Sequence, residues 1–300
     1  MGFSGCLACG LDRGGKGGYA LQGSQESREG LEMAAVKIGI MGVGGFMGRM
    51  IAKQVHQTEG AIIAGGTVLK GSTEEGIEIA KLSGFEGDTP KTTSDAMPVF
   101  AEADVVIDFT APEATVAHAK LAAASGTAFV VGTTGMTTEQ EAELAQAAKH
   151  IPLVYAPNMS LGVNLLFDLV KKVAAALDES FDIEIVEMHH RRKVDAPSGT
   201  ALGLGKAAAA GRGVTLEEKG VLSREGVTGP RESGQIGFAT LRGGDVVGDH
   251  TVIFAGPNER IELTHKAASR EIFASGAVRA AIWAAGREPG LYAMPDVLGL

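Results

Sequence analysis

Two rhythms of apolar and polar positions divide this chain. Between residues 36 and 155, short continuous apolar runs alternate with stretches of helical period. The runs at 36–41, 61–67, 105–110, 129–131 and 151–155 read as strands buried on both faces, bounded by turn residues. Helices are predicted over 50–55, 112–124 and 139–150, the second opened by Pro112. Strands alternating with helices predict an α/β fold with a doubly wound parallel sheet and right-handed crossovers. Residues 161–177 predict an amphipathic helix with Leu165, Leu166, Leu169, Val170 and Val173 on its apolar side. From residue 181 the rhythm changes. Residues 181–188 alternate as a strand, 198–210 read as a helix, 223–234 as a polar loop, and 236–242, 250–255 and 259–265 as strands joined by short turns. These predict a second α+β domain with a mixed or antiparallel sheet. A last helix over 272–286 would turn Val278, Ile282 and Trp283 to the core.

Length and charge narrow the function. A chain of 300 residues suits two domains, and 45% apolar with 21% charged residues describes a globular protein with ample core. A net charge of −9 argues against a nucleic acid or an anionic membrane as the main partner. No apolar run approaches the roughly 18 residues that a membrane span needs. The two cysteines, Cys6 and Cys9, leave no disulfide framework, which fits a reducing, cytoplasmic setting. Residues 1–32 are rich in Gly and Ser and are expected to be a disordered extension or a tag, with Met33 as the natural first residue. Cys6-x-x-Cys9 has redox or metal spacing but no second pair.

Two stretches carry chemistry. Gly42-Val43-Gly44-Gly45-Phe46-Met47-Gly48-Arg49 follows the first strand and leads into a helix. Gly42 suits the tight turn, Gly44 the approach of a pyrophosphate, and the helix N-terminus offers free N–H groups to that anion. The spacing to Gly48 is one residue longer than the usual dinucleotide fingerprint, and a purely structural turn is the plain alternative. The carboxylate that ordinarily holds the adenosine ribose after the second strand is absent, since Val68 and Leu69 stand there. Lys70 could meet a 2′-phosphate or be a solvated lysine, which leans the choice slightly to NADPH. The second stretch is Glu187-Met188-His189-His190-Arg191-Arg192-Lys193, followed by an Ala-Pro turn and Ser198-Gly199-Thr200 at a helix start. In an acidic chain this cluster suits an anionic substrate with a proton delivered nearby; a solvated basic loop is the alternative. Neighbours in a strand face opposite ways, so His189 and His190 share a site only if the chain turns there. A metal-dependent hydrolase using His189, His190, Asp195 and His250 or His265 would explain the histidines, but adjacent histidines converge poorly on one ion.

Together with Asp108-Phe109-Thr110, Gly132-Thr133-Thr134-Gly135, Ser223-Arg224-Glu225-Gly226, Gly237-Phe238-Ala239-Thr240 and Thr264-His265-Lys266-Ala267, these stretches resemble the bacterial 4-hydroxy-tetrahydrodipicolinate (dihydrodipicolinate) reductase family from about residue 36 to 298. The resemblance implies NADH- or NADPH-dependent reduction of a heterocyclic dicarboxylate on the diaminopimelate and lysine pathway. It implies a Rossmann-like coenzyme domain over 33–160, a mixed-sheet substrate and oligomerisation domain over 161–270, a segment over 271–300 returning to the first domain, and a homotetramer. By the same resemblance, His189 is the general acid/base and Lys193 the proton donor, while His190, Ser198, Gly199 and Thr200 contact substrate. Gly42 to Met47 would hold the coenzyme, with Gly132, Thr133, Thr134, Ala156, Pro157, Asn158 and Met159 on its nicotinamide side. No metal is implied. Domain closure would hinge near 158–162 and 269–275. Phe46 stands where the family often carries Arg, and Val68-Leu69 where it often has an acidic residue followed by Arg. A catalytically inactive nucleotide-sensing module would explain the glycine loop but not the proton-donor cluster.

Overall fold

Apolar runs too short for helices pair side by side in the computed structural model, which describes Gly2 and residues 34–300. The expected extension over 1–32, with Cys6 and Cys9, lies outside the described residues apart from Gly2. The first half runs β1 (Val36–Met41), α1 (Phe46–Gln57), β2 (Ala61–Gly66), α2 (Ile79–Ser83), α3 (Met97–Glu102), β3 (Val105–Asp108), α4 (Pro112–Ser125), β4 (Ala128–Val131), α5 (Thr138–Ala147) and β5 (Pro152–Tyr155). The second runs α6 (Leu161–Ala176), β6 (Asp182–His189), α7 (Gly199–Arg212), α8 (Leu216–Lys219), β7 (Gly220–Val221), β8 (Ile236–Arg242), β9 (Gly248–Gly256), β10 (Glu259–Ala267), α9 (Glu271–Ala284), β11 (Gly290–Tyr292) and α10 (Met294–Leu298).

The first sheet is parallel, in the order β11-β5-β4-β3-β1-β2. Alternation along the strands feeds two cores. Ile38, Ile40, Val105, Ile107 and Val130 pack with Ile51 and Val55 of α1 and with the alanines of α9. Met41, Val106, Phe129 and Val131 pack on the other face with Phe100, Ala119, Ala122 and Leu144. Both faces are therefore covered, as the continuous apolar runs require. The closing strand β11 pairs with β5 in parallel, which leaves all strand C-termini on one edge. Ligands sit at such an edge in open α/β sheets.

The second sheet has the order β10-β9-β6-β8-β7, mixing antiparallel with parallel pairs. One face, with Ile183, Ile185, Phe238, Val252 and Phe254, is sealed by α6 and α7. The other face presents Val186, Met188 and Ile253, which are only half-buried. The polar loop between β7 and β8 is not free. Arg224 donates two hydrogen bonds of 2.8 Å to Glu184, and Arg231 reaches Glu184 and Asp182.

Two readings of the pattern need correction. In α6 the buried stripe is Val163, Asn164, Leu166, Val170 and Ala174, whereas Leu165 and Leu169, four residues apart, face outward at 42% and 39% exposure. In α9 the core side is Ala274, Ala277, Ala280, Ala281 and Ala284 with Val278, and Ile282 is exposed. Close packing selects small residues there. A Cβ on Gly276 would lie 1.7 Å from the carbonyl oxygen of Met159. The segment before β3 forms helix α3.

Gly276→Ala should therefore destabilise the fold by about 2–4 kcal/mol despite Ala's better helix propensity. Gly286→Ala, with no atom within 4 Å of its Cβ, should stay near neutral. Urea unfolding midpoints test both, and equal midpoints would contradict the packing argument.

Candidate active site

The sheet edge carries three cavities that share walls. The first, of about 620 Å³, is lined by Gly42, Gly44, Gly45, Val68, Lys70, Glu74, Phe109, Thr110 and His118 among others. The second, of about 370 Å³, shares Phe109 and Thr110 and adds Phe46, Met47, Gly132, Thr133, Thr134, Pro157, Asn158, Met159 and Arg270. The third, of about 430 Å³, shares Thr134, Pro157 and Asn158 with the second and adds His189, Lys193, Ser198, Gly199 and Thr200. The strand–loop–helix unit at residues 36–57 and the basic stretch after β6 thus meet along one trough.

The glycine loop is shaped for a close-lying anion. Gly42 has φ +69°, and a Cβ on Gly48 would strike the carbonyl oxygen of Gly42 at 2.2 Å, so α1 starts hard against the turn. Gly45 caps α1 without a side-chain bond, leaving first-turn N–H groups to a ligand. Phe46 is exposed and stacks under the Arg270 guanidinium at 5.6 Å. The neighbouring loops are fixed from below by Asp108, which is wholly buried. Asp108 Oδ1 accepts from Thr110 N–H at 2.8 Å and Thr110 Oγ1 at 2.6 Å, and Oδ2 meets His118 Nδ1 at 2.7 Å. Val43 and Ala156 are core positions that the cavities do not reach.

Around the third cavity the fold organises a buried carboxylate. Glu187 sits on the same face of β6 as His189, two residues on, and both are buried. Parallel pairing places Arg242 beside His189 at the end of β8. Arg242 donates two hydrogen bonds to Glu187, at 2.8 and 2.9 Å, and the Ser198 N–H donates a third at 3.0 Å. Glu187 Oε2 lies 2.6 Å from His189 Nδ1. Burial by itself would raise the Glu187 pKa, but the bonds from Arg242, His189 and Ser198 hold it below the usual carboxylate range. An ionised carboxylate only accepts, so His189 Nδ1 carries its proton toward Glu187 and Nε2 is left for other work.

The remaining candidates divide. Lys193 lines the cavity and pairs with Asp195 at 2.8 Å. Gly199 and Thr200 open α7, whose first N–H groups have no intrahelical partner, and Thr200 Oγ1 accepts from Asn158 Nδ2 at 3.1 Å. The Ser198 hydroxyl is occupied: it caps α7 by accepting from Ala201 N–H and meets His250 Nε2 at 3.1 Å. His190 leaves the strand and does not line the cavity; burial, with the charges of Arg192 and Arg270, lowers its pKa. Among the described residues no three His, Cys, Asp or Glu side chains are grouped as metal ligands. Also among the described residues, no helix is long and apolar enough to cross a membrane.

Sequence reasoning gives no role to Arg242, names Glu187 only as the start of the basic stretch, and offers His250 only as a ligand in the metal-hydrolase alternative. The i, i+2 spacing of Glu187 and His189 is a usable signal, whereas Arg242 and His250 depend on sheet register. His250 packs edge-on to His189 with ring centres 5.1 Å apart, and burial, reinforced by the His189 charge, pushes its pKa from 6.5 down to about 4. A neutral imidazole buried in this way contributes stability that is complete above pH 6.5 and lost as pH falls toward 4, because the unfolded chain takes up the proton first. The full difference is roughly 3 kcal/mol. Urea unfolding at neutral pH and near pH 4.5 should show a pH dependence shallower by about 2–3 kcal/mol in His250→Gln than in the parent chain. Equal dependences would contradict the burial argument.

Comparison with known proteins agrees with this architecture. The family descriptions "Dihydrodipicolinate reductase, N-terminus" and "Dihydrodipicolinate reductase, C-terminus" match residues 36–159 and 162–298. A 4-hydroxy-tetrahydrodipicolinate reductase from Rhodopseudomonas palustris (strain BisB18) is 53% identical over 268 residues, covering 89% of this chain and 99% of the relative. One of the same name from Chelativorans sp. (strain BNC1) is 55% identical over 261 residues, covering 87% of this chain and 94% of the relative. The solved dipicolinate-bound dihydrodipicolinate reductase from Paenisporosarcina sp. TG-14 superposes with a TM-score of 0.68 at 25% identity, covering 87% of this chain and 98% of that one. With both halves matched in order and half the residues shared with such relatives, the chain belongs to the dihydrodipicolinate reductase family.

Proposed function

We propose that this chain reduces 4-hydroxy-tetrahydrodipicolinate, by way of dihydrodipicolinate, to tetrahydrodipicolinate in diaminopimelate and lysine biosynthesis, with NADH or NADPH as reductant. The observation that carries this reading is the shared wall of Thr134, Pro157 and Asn158 between the cavity under the glycine loop's helix and the cavity that holds His189 and Lys193. The bare glycine loop and uncapped α1 fit a dinucleotide. Gly42, Gly44, Gly45, Phe46 and Met47 would hold its diphosphate side, and Gly132, Thr133, Thr134, Pro157, Asn158 and Met159 its nicotinamide side. The coenzyme supplies a hydride to a ring carbon conjugated with the C=N bond. The first sheet is then the coenzyme domain, and residues 161–270 the substrate domain.

The substrate is a small dicarboxylate. Carboxylates leaving water need paired donors, since an unpaired buried charge is costly. The N–H groups of Gly199 and Thr200 at the start of α7 would take one carboxylate, and Lys193, in the same cavity wall, would supply charge. Elimination of water and reduction both require a proton near the ring. His189, with Nδ1 fixed by Glu187, holds that proton at Nε2, and Lys193 is the second donor. Ser198 serves as the cap that places Gly199 and Thr200. His190 lies outside the wall of this cavity. Closure near 158–162 and 269–275 would bring the cavities together and exclude water.

We further propose a homotetramer that works in the cytoplasm. The half-buried apolar Val186, Met188 and Ile253 on the open face of the second sheet support self-association. Light scattering should give about four chain masses, and a monomer would contradict it.

His189→Gln and Lys193→Ala should each cut substrate-dependent oxidation of NADH or NADPH by roughly a hundredfold or more, with coenzyme binding kept. The substrate is generated in the assay from pyruvate and aspartate semialdehyde by the preceding synthase. Unchanged turnover in both variants would refute the assignment. Coenzyme binding without oxidation by the folded parent chain would favour the nucleotide-sensing module.

A further inference from the structure

We infer that Glu74 selects the coenzyme: its carboxylate accepts the adenosine ribose hydroxyls of NADH and repels the 2′-phosphate of NADPH. The inference rests on the reductase reading and deepens it. At the end of β2, where a ribose-binding carboxylate ordinarily stands, this chain has Val68, which is buried against Gly44. A carboxylate reaches the same place from another direction. A Cβ on Gly44 would lie 2.1 Å from Glu74 Oε2 and 3.2 Å from Val68 Cγ1. The Glu74 carboxylate therefore rests on the bare Cα of the loop's second glycine, in the 620 Å³ cavity.

This placement is built rather than incidental. Arg49 ties the carboxylate to the loop, since its Nη2 donates to Glu74 Oε1 and its Nε to the Gly44 carbonyl at 2.9 Å. The Glu74 backbone is held at both ends: its N–H donates to Ser72 Oγ at 3.2 Å, and its carbonyl accepts from Thr92 Oγ1. Next to it, Glu75 Oε1 accepts from the N–H and the hydroxyl of Ser94, another residue of the cavity wall. With Oε1 engaged by Arg49, Oε2 keeps its lone pairs for hydroxyl donors. A dianionic 2′-phosphate would meet a fixed negative charge there, while Arg49 already spends Nη2 on Glu74 and Nε on the Gly44 carbonyl. Lys70 lines the same cavity but is exposed and makes no hydrogen bond among the described residues, so water screens its charge. The slight lean toward NADPH that Lys70 suggests in the sequence is thereby reversed.

Fluorescence titration of NADH and NADPH, with no substrate present, tests this independently of turnover. The parent chain should bind NADH at least tenfold more tightly than NADPH. Glu74→Gln should weaken NADH about 10-fold to 100-fold and leave NADPH equal or tighter, as loss of a charged acceptor and a like charge implies. Retained NADPH binding also shows that the variant is folded, and Lys70→Ala should leave the ratio unchanged. Equal or tighter NADPH binding by the parent chain, equal weakening of both coenzymes by Glu74→Gln, or a ratio that follows Lys70 would each overturn the inference. If the ratio follows Glu74 but the parent chain oxidises neither coenzyme, the reductase reading fails and this one stands.

Discussion

A buried carboxylate with every lone pair engaged holds the site together. Glu187 receives two bonds from Arg242, one from the Ser198 N–H and one from His189 Nδ1, so a single group joins β6, the end of β8 and the start of α7. Charge buried at this depth is tolerated only when it is paired and hydrogen-bonded, and losing one partner of such a set typically costs about 3–5 kcal/mol. The same bonds have a chemical consequence. They keep Glu187 ionised, which fixes the His189 tautomer and turns Nε2 to other work.

The cavities beside the glycine loop depend on a parallel device. Asp108 ends β3 with no exposure and ties Thr110, His118 and, at 3.5 Å, Thr133 beneath the trough. The chain's last segment locks both sides in place. Helix α9 lies so close to the 156–159 loop that only glycine fits at 276. The starts of α1 and α9 thus meet where Arg270 covers Phe46.

Most of the strand and helix order was legible in the sequence because each apolar run matched the period of its element. Residues 36–41, 161–176 and 236–242 show this directly. What escaped depended on distance in sequence. The Leu165 and Leu169 face is as apolar as its neighbours, so periodicity could not tell the covered side from the open one. The alanine face of α9 is set by close approach rather than hydrophobicity. In the candidate site, the glycine loop and His189, Lys193, Gly199 and Thr200 lie in readable local motifs. Arg242 and His250 join them only through strand register, and Glu74 only through a loop that folds back over Gly44. His190, a substrate contact only by the resemblance, follows the end of the strand and does not line the cavity that holds His189.

The account turns on whether the Glu187 carboxylate sets the proton-handling state of His189. The most direct measurement is kcat for substrate-dependent coenzyme oxidation by Glu187→Gln, an isosteric change that keeps a polar side chain between Arg242 and His189. The account predicts a fall in kcat of roughly a hundredfold or more with coenzyme affinity unchanged. An unaltered kcat in the folded variant would contradict it.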